Sequence, residues 1–175
     1  GMCLVAALDE RKRVRRIVLS NPACFPQCLP RAYRLARIPL IGEMLMATTR
    51  AERLVAGVEQ IGYVDPRRFV PELRQRYVRI MSGVRNRMKL MDLIRALPAD
   101  ERDLTAAGHV SRLRYIAQPV LVTWGEQDPL LVAGAGERLA RMLPRGVYAG
   151  YPDLAHLPHE EAPERIGRSW AAFLG

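Results

Sequence analysis

Apolar and polar positions divide the chain into three stretches. Cys3-Leu4-Val5-Ala6-Ala7-Leu8 is continuously apolar and is then interrupted by Asp9-Glu10-Arg11-Lys12-Arg13. This pattern predicts one short helix with no capping residue ahead of it, as the tail of a longer helix has. Arg13-Val14-Arg15-Arg16-Ile17-Val18-Leu19-Ser20 is a β-branched run that ends at Asn21-Pro22. It predicts a buried strand with a turn behind it. Pro22, Pro26 and Pro30 then hold the chain extended.

The middle stretch has helical spacing. A short helix is expected over Arg31 to Arg37, stopping near Pro39. Thr49, with Glu52 in a capping arrangement, is expected to open a helix over Arg50 to Ile61. Asp65-Pro66 is a cap followed by proline at the first helical position. From there Phe69, Leu73, Tyr77, Ile80 and Met81, then Val84, Met88, Met91 and Ile94, recur every three or four residues. One long amphipathic helix to about Leu97-Pro98 is predicted, with arginines on its outer face.

The last third alternates strand and helix. Gln118-Pro119-Val120-Leu121-Val122-Thr123-Trp124-Gly125 is apolar throughout, as a parallel strand covered on both faces must be. A polar turn, Glu126-Gln127-Asp128-Pro129, follows. A helix over Gly136 to Leu143, a strand over Gly146 to Gly150 and a helix over Ala162 to Leu174 complete the order. Such alternation implies right-handed crossovers and a parallel sheet, an α/β architecture. Ligands of such sheets sit beyond the carboxyl ends of the strands, where Asp128 and the loop carrying His156 fall.

Composition narrows the classes. At 175 residues and 49% hydrophobic, the chain is long enough for one full core. No apolar run approaches the ~18 residues of a membrane span, and no secretory segment is read near the start. Gly1 ahead of Met2 has the form of a cloning remnant. Three cysteines make a closed disulfide framework unexpected, and the cytoplasm is the expected compartment. The net charge of +9 belongs to the first two-thirds, since the last 55 residues carry seven acidic and five basic side chains. No basic stripe interleaved with aromatics accompanies it, so nucleic acid is not the expected partner.

The C-terminal motifs carry a resemblance. Pro119 to Asp128, ending Trp-Gly-Glu-Gln-Asp-Pro, resembles the penultimate strand and acid turn of the α/β-hydrolase family. Ala155-His156-Leu157-Pro158-His159-Glu160-Glu161-Ala162-Pro163-Glu164 is similar to that family's histidine loop and the start of its last helix. The separation between Asp128 and His156 leaves room for one helix and one strand. Arg13 to Pro22 resembles the strand after the nucleophile helix. The resemblance implies a partial α/β-hydrolase with a short parallel sheet, flanking helices and a helical cap. It places the core at 1–29 and 113–175 and the cap at 30–112.

By residue match, Asp128 is the acid and His156 the base. A triad needs this pair because histidine takes and returns a proton while a buried carboxylate fixes its tautomer. His159 is expected to support the loop, and His109 to be a cap or linker histidine. The family's Gly-x-Ser-x-Gly elbow is absent. The serines are Ser20, Ser82, Ser111 and Ser169, and none is flanked by glycines on a strand-to-helix turn. The resemblance therefore implies a C-terminal portion, with the elbow and the earlier strands ahead of Met2.

Two function classes follow. The first is a serine-type hydrolase of an ester or related bond, whose nucleophile comes from upstream sequence or another chain. The second is a non-catalytic remnant that folds as a homo-oligomer and binds a small apolar ligand. Met44, Met46, Met81, Met88 and Met91 suggest an adaptable apolar surface for either. Cys3 as a substitute nucleophile lacks the strained elbow and oxyanion donors. Cys24 and Cys28 with His156 and His159 form a conceivable zinc set without a CxxC knuckle. Neither is preferred, so no cofactor or metal is implied. The expected partner is a small apolar molecule, with neither nucleic acid nor a membrane.

Overall fold

The computed structural model describes residues 2–10, 12–25, 31–96 and 109–175. Gly1, Pro26, Cys28, Pro30, Leu97-Pro98 and the His109 side chain lie outside the described residues. A parallel three-stranded sheet is built from β1 (Ile17–Ser20), β2 (Val120–Gly125) and β3 (Gly146–Tyr151), in the order β1-β2-β3. Every residue of β2 is buried, which is why its sequence is apolar without alternation.

Helix α1 (Met2–Asp9) precedes β1. Between β1 and β2 run α2 (Arg31–Ala36), α3 (Ile41–Thr48), α4 (Ala51–Gly62), α5 (Pro71–Ser82), α6 (Val84–Arg95) and α7 (His109–Arg112). The β2-to-β3 crossover is α8 (Ala135–Met142), and β3 leads through a loop to α9 (Pro158–Glu161) and α10 (Pro163–Leu174). The main core joins Leu4 and Ala7 of α1, Ile17 and Leu19, Val120, Val122 and Trp124, and Leu139 and Ala140 of α8. On the opposite face Trp170 of α10 donates to Thr123 Oγ1 at 3.4 Å. The helices between β1 and β2 have cores of their own, one around Ala36, Met46, Met91 and Ile94, another around Val55, Tyr63 and Phe69.

Several boundaries differ from the sequence reading. The strand expected from Arg13 begins at Ile17, because Ile17 pairs with Val120 and Pro119 precedes the start of β2. Thr49 caps nothing: it is extended at the end of α3, and α4 starts after Arg50 without a side-chain cap. The single helix expected from Pro66 is three pieces. Asp65 does accept from Arg67 N–H, but over a 3₁₀ turn, Pro66–Arg68. Pro71 then holds Val70 extended (ψ 144°), and Gly83 is extended (ψ 122°) between α5 and α6. Nor are all arginines outward. Arg87 is buried and donates to the Thr49 and Ala47 carbonyls at 2.7 and 3.3 Å, tying α6 to the end of α3. The C-terminal helix starts one residue later than expected, at Pro163, and a short helix, Pro158–Glu161, stands where a loop was expected as far as His159.

Candidate active site

The carboxyl end of β2 carries the turn Glu126-Gln127-Asp128, and the chain after β3 returns over it as the loop of Leu154 to Leu157. The approach is close. A Cβ on Gly125 would lie 1.9 Å from the Ala155 carbonyl oxygen, so only glycine lets the loop cross here. Glu126 N–H donates to Tyr151 O and Gln127 N–H to Leu154 O, both at 2.9 Å. These bonds bring two segments distant in sequence into one small region.

Asp128 and His156 meet there. His156 Nδ1 is 2.7 Å from Asp128 Oδ2, inside hydrogen-bonding range. The Asp128 side chain is 1% exposed and that of His156 is 23% exposed. Asp128 Oδ1 accepts from Leu130 and Leu131 N–H at 2.8 and 3.1 Å. Asn21 Nδ2 also donates to Oδ2, at 2.7 Å. Burial pushes the Asp128 carboxyl up, but the hydrogen bonds from His156, Asn21 and Leu130 outweigh it and hold it below its ordinary value. An ionised carboxylate only accepts, so Nδ1 carries the proton and Nε2 the lone pair, an assignment made from the network.

The backbone of the histidine loop is fixed from the helical side. His156 N–H donates to Ile61 O at 3.3 Å and Leu157 N–H to Gly62 O at 3.0 Å. Glu161, buried at 4% exposure, accepts from Ala155, Val64 and Asp65 N–H at 2.9, 2.9 and 3.1 Å. Glu160 accepts from the hydroxyls of Tyr63 and Tyr77 at 2.8 and 2.7 Å. Burial, then the bonded Glu160 charge, push both tyrosines well above their ordinary range, so they remain donors.

His159 stands apart from Asp128. Its Nδ1 is 3.3 Å from Ser20 Oγ, and its ring stacks on Trp170 at 5.9 Å between centroids. Burial holds it below the ordinary histidine value, so the neutral ring is favoured. Cys3 is exposed on α1. Cys24 is partly buried, and that burial raises its thiol pKa and disfavours the thiolate. No group of three or more His, Cys, Asp or Glu suited to a metal occurs among the described residues, and Cys28 lies outside them. No helix among the described residues is long and apolar enough to cross a membrane.

Asn21, Glu160 and Glu161 were not singled out by sequence reasoning. Asn21 looked like turn chemistry before Pro22, and two adjacent glutamates after a histidine carry no motif. The one available signal was an asparagine at the end of an apolar strand, a residue that tolerates positive φ.

No family model matches the chain. A cis-3-alkyl-4-alkyloxetan-2-one decarboxylase of Xanthomonas campestris is 23% identical over 176 aligned positions, 96% of this chain and 57% of that protein. An uncharacterized hydrolase, YugF, of Bacillus subtilis is 35% identical over 63 residues, 36% of this chain and 23% of that protein. Among solved structures, the enol-lactonase of Burkholderia xenovorans superposes with a TM-score of 0.71 at 17% identity. The haloalkane dehalogenase DbeA of Bradyrhizobium elkani does so with 0.73 at 20% identity. Each structural match takes in 98% of this chain and about 60% of the neighbour. The architecture is that of the α/β hydrolases. Specifically, the chain carries a partial α/β-hydrolase fold, a short parallel sheet with flanking helices.

Proposed function

We propose that Asp128 and His156 are the acid and base of an α/β hydrolase that cleaves an ester or a related carbon–carbon or amide bond. The 2.7 Å contact between His156 Nδ1 and Asp128 Oδ2 carries this reading. His156 Nε2 would take a proton from the nucleophile and return it to the leaving group. Asp128 would hold the ring and stabilise the imidazolium. The nucleophile is not in an elbow of these residues, so it is supplied by upstream sequence or a second chain. The name of one similar protein, an enol-lactonase, favours esters, since an enol-lactone is a cyclic ester. The oxetan-2-one decarboxylase is named for a cyclic-ester substrate but for the loss of carbon dioxide.

Residues 30–112 act as a cap over a core of 1–29 and 113–175. A cavity of about 950 Å³ lies among α2, α3, α4 and α6, lined by Tyr33, Met46, Leu54, Ile61 and Ile94 among others. It reaches Ile61, whose carbonyl accepts the His156 N–H. That placement fits the apolar part of a substrate. The second reading, a non-catalytic protein holding an apolar ligand, rests on the same cavity, which Asp128 and His156 do not line.

The test compares the 175-residue chain with the chain extended by the in-frame coding sequence upstream, using p-nitrophenyl esters. The extended protein turns over, Asp128→Asn lowers its kcat by about 10⁴-fold, and the shorter chain shows nothing above its His156→Ala control. Extended protein without turnover, binding only an apolar fluorescent probe, favours the second reading.

A further inference from the structure

Asn21 follows β1 directly and is buried at 4% exposure. Its φ is 38°, in the left-handed region, where non-glycine residues are uncommon and asparagine is among the exceptions. The register of β1 on β2 ends with Ser20 opposite Thr123, and Asn21 N–H still donates to Thr123 O at 3.0 Å. Beyond that point the backbone leaves the sheet and the side chain takes over. Gly125 N–H donates to Asn21 Oδ1 at 2.9 Å, and Asn21 Nδ2 donates to Gly125 O at 3.3 Å. The carboxamide thus pairs with both backbone groups of Gly125, as one more peptide of the ladder would.

The second amide hydrogen of Nδ2 goes to Asp128 Oδ2 at 2.7 Å, the oxygen that also meets His156. The flipped amide is excluded, because it would set a donor against the Gly125 N–H and an oxygen against two oxygens. Leucine at this position lacks the donor, and aspartate keeps one only as the protonated acid. With Leu130 and Leu131 on Oδ1, the carboxylate has four donors and one orientation.

We infer that Asn21 is a positioning residue of the acid–histidine pair. Through Gly125 it sets the turn, and through Oδ2 it sets the carboxylate that dictates which His156 nitrogen holds the proton. The inference rests on the reading of Asp128 and His156 as acid and base, and its test separates the two.

The experiment is ¹⁵N and ¹H NMR of the 175-residue chain between pH 5 and 8, with His156→Gln assigning the ring. His159, on Ser20 and Trp170, is followed in the same spectra. In the wild type, neutral His156 is protonated at Nδ1, and the Asn21 side-chain amide protons shift with the His156 titration. In Asn21→Leu the Nδ1–H form loses its dominance. In Asn21→Asp, which keeps the shape, the new carboxyl lies against Asp128 Oδ2 and the Gly125 carbonyl, so the two carboxyls share one proton, a donor to Oδ2 is restored and the Nδ1–H form is kept. His159, which feels the His156 charge, moves less than His156 in both. A wild-type His156 protonated at Nε2 overturns the acid–base reading itself. A wild type with Nδ1–H, whose Asn21 amide ignores the titration or whose Asn21→Leu variant leaves His156 unmoved, overturns only the role of Asn21. The wild-type amide measurement decides even if neither variant folds.

Discussion

Leu157 N–H donates to Gly62 O at 3.0 Å, and a Cβ on Gly62 would lie 2.7 Å from Leu157 Cδ1. The last residue of α4 is therefore in direct contact with the residue after His156. The contact needs both the backbone bond and the missing side chain. Gly62→Val would force Leu157 outward and pull on the His156–Ile61 bond. We expect a loss of about 1–3 kcal/mol in unfolding free energy, from overpacking. The His156 backbone amide would exchange faster with solvent. A variant with wild-type stability and exchange would show that the histidine loop does not depend on this contact.

Glu161 offers a stronger test of the same coupling. It holds three backbone N–H groups from two segments, Val64 and Asp65 on one side and Ala155 on the other. Glu161→Ala leaves them without their acceptor, and each buried unsatisfied group costs about 1–3 kcal/mol. A urea titration should show a loss of about 2–5 kcal/mol, since Ala155 N–H is buried while water reaches the exposed Val64. Glu161→Gln restores acceptance for Val64 and Asp65 but sets its amide against Ala155 N–H. It should fall between wild type and Glu161→Ala.

The parts of the fold legible in the sequence were those with local causes. The buried apolar run of Val120 to Gly125 and the polar turn at Asp128 state their own strand and strand end. The long helix failed because its periodicity survives the breaks. Phe69, Leu73, Tyr77 and Ile80 keep their spacing while Pro71 and Gly83 interrupt the backbone. The site was half legible for a similar reason. Asp128 and His156 sit in motifs, whereas Asn21 and Glu161 matter through partners 107 and 97 residues away. Nothing local to either residue names those partners.

Among the groups whose folded pKa is held down, Asp128 and His159 are those away from the exposed surface ion pairs, and both make the stability depend on pH in the same direction. Asp128 has its folded pKa held below the unfolded value of 3.8, so its contribution is complete above that pH and is lost as pH falls through the lower folded value. His159 has its folded pKa held below 6.5 by burial, so the stability tied to its neutral form is present above 6.5 and drains away as pH falls below it. Urea midpoints should therefore decline first below about pH 6.5 and again below about pH 4. His159→Gln should flatten the first decline. Asp128→Asn should be about 1–3 kcal/mol less stable than wild type at pH 6, with the gap closing below pH 4. A first decline that persists in His159→Gln would assign it to another group.

The outer side of β1 has no strand beside it among the described residues, although Val18 and its neighbours have the apolar character of an inner strand. Ile17 and Asn21 N–H groups point inward, donating to Pro119 O and Thr123 O. Backbone groups alternate along a strand, so the N–H of Val18 points away from β2, where no strand receives it among the described residues. An apolar strand with free outward donors pairs or aggregates unless something blocks it. We expect the 175-residue chain to be a homodimer or larger in light scattering at micromolar concentration. Val18→Pro removes the outward donor without touching a bond to β2, and proline is tolerated at edges. It should shift the protein toward monomer while the circular dichroism spectrum is retained. The extended chain, if it supplies a strand beside β1, should be monomeric without the substitution. A clean monomer from the unmodified 175-residue chain would mean that this edge does not recruit a partner.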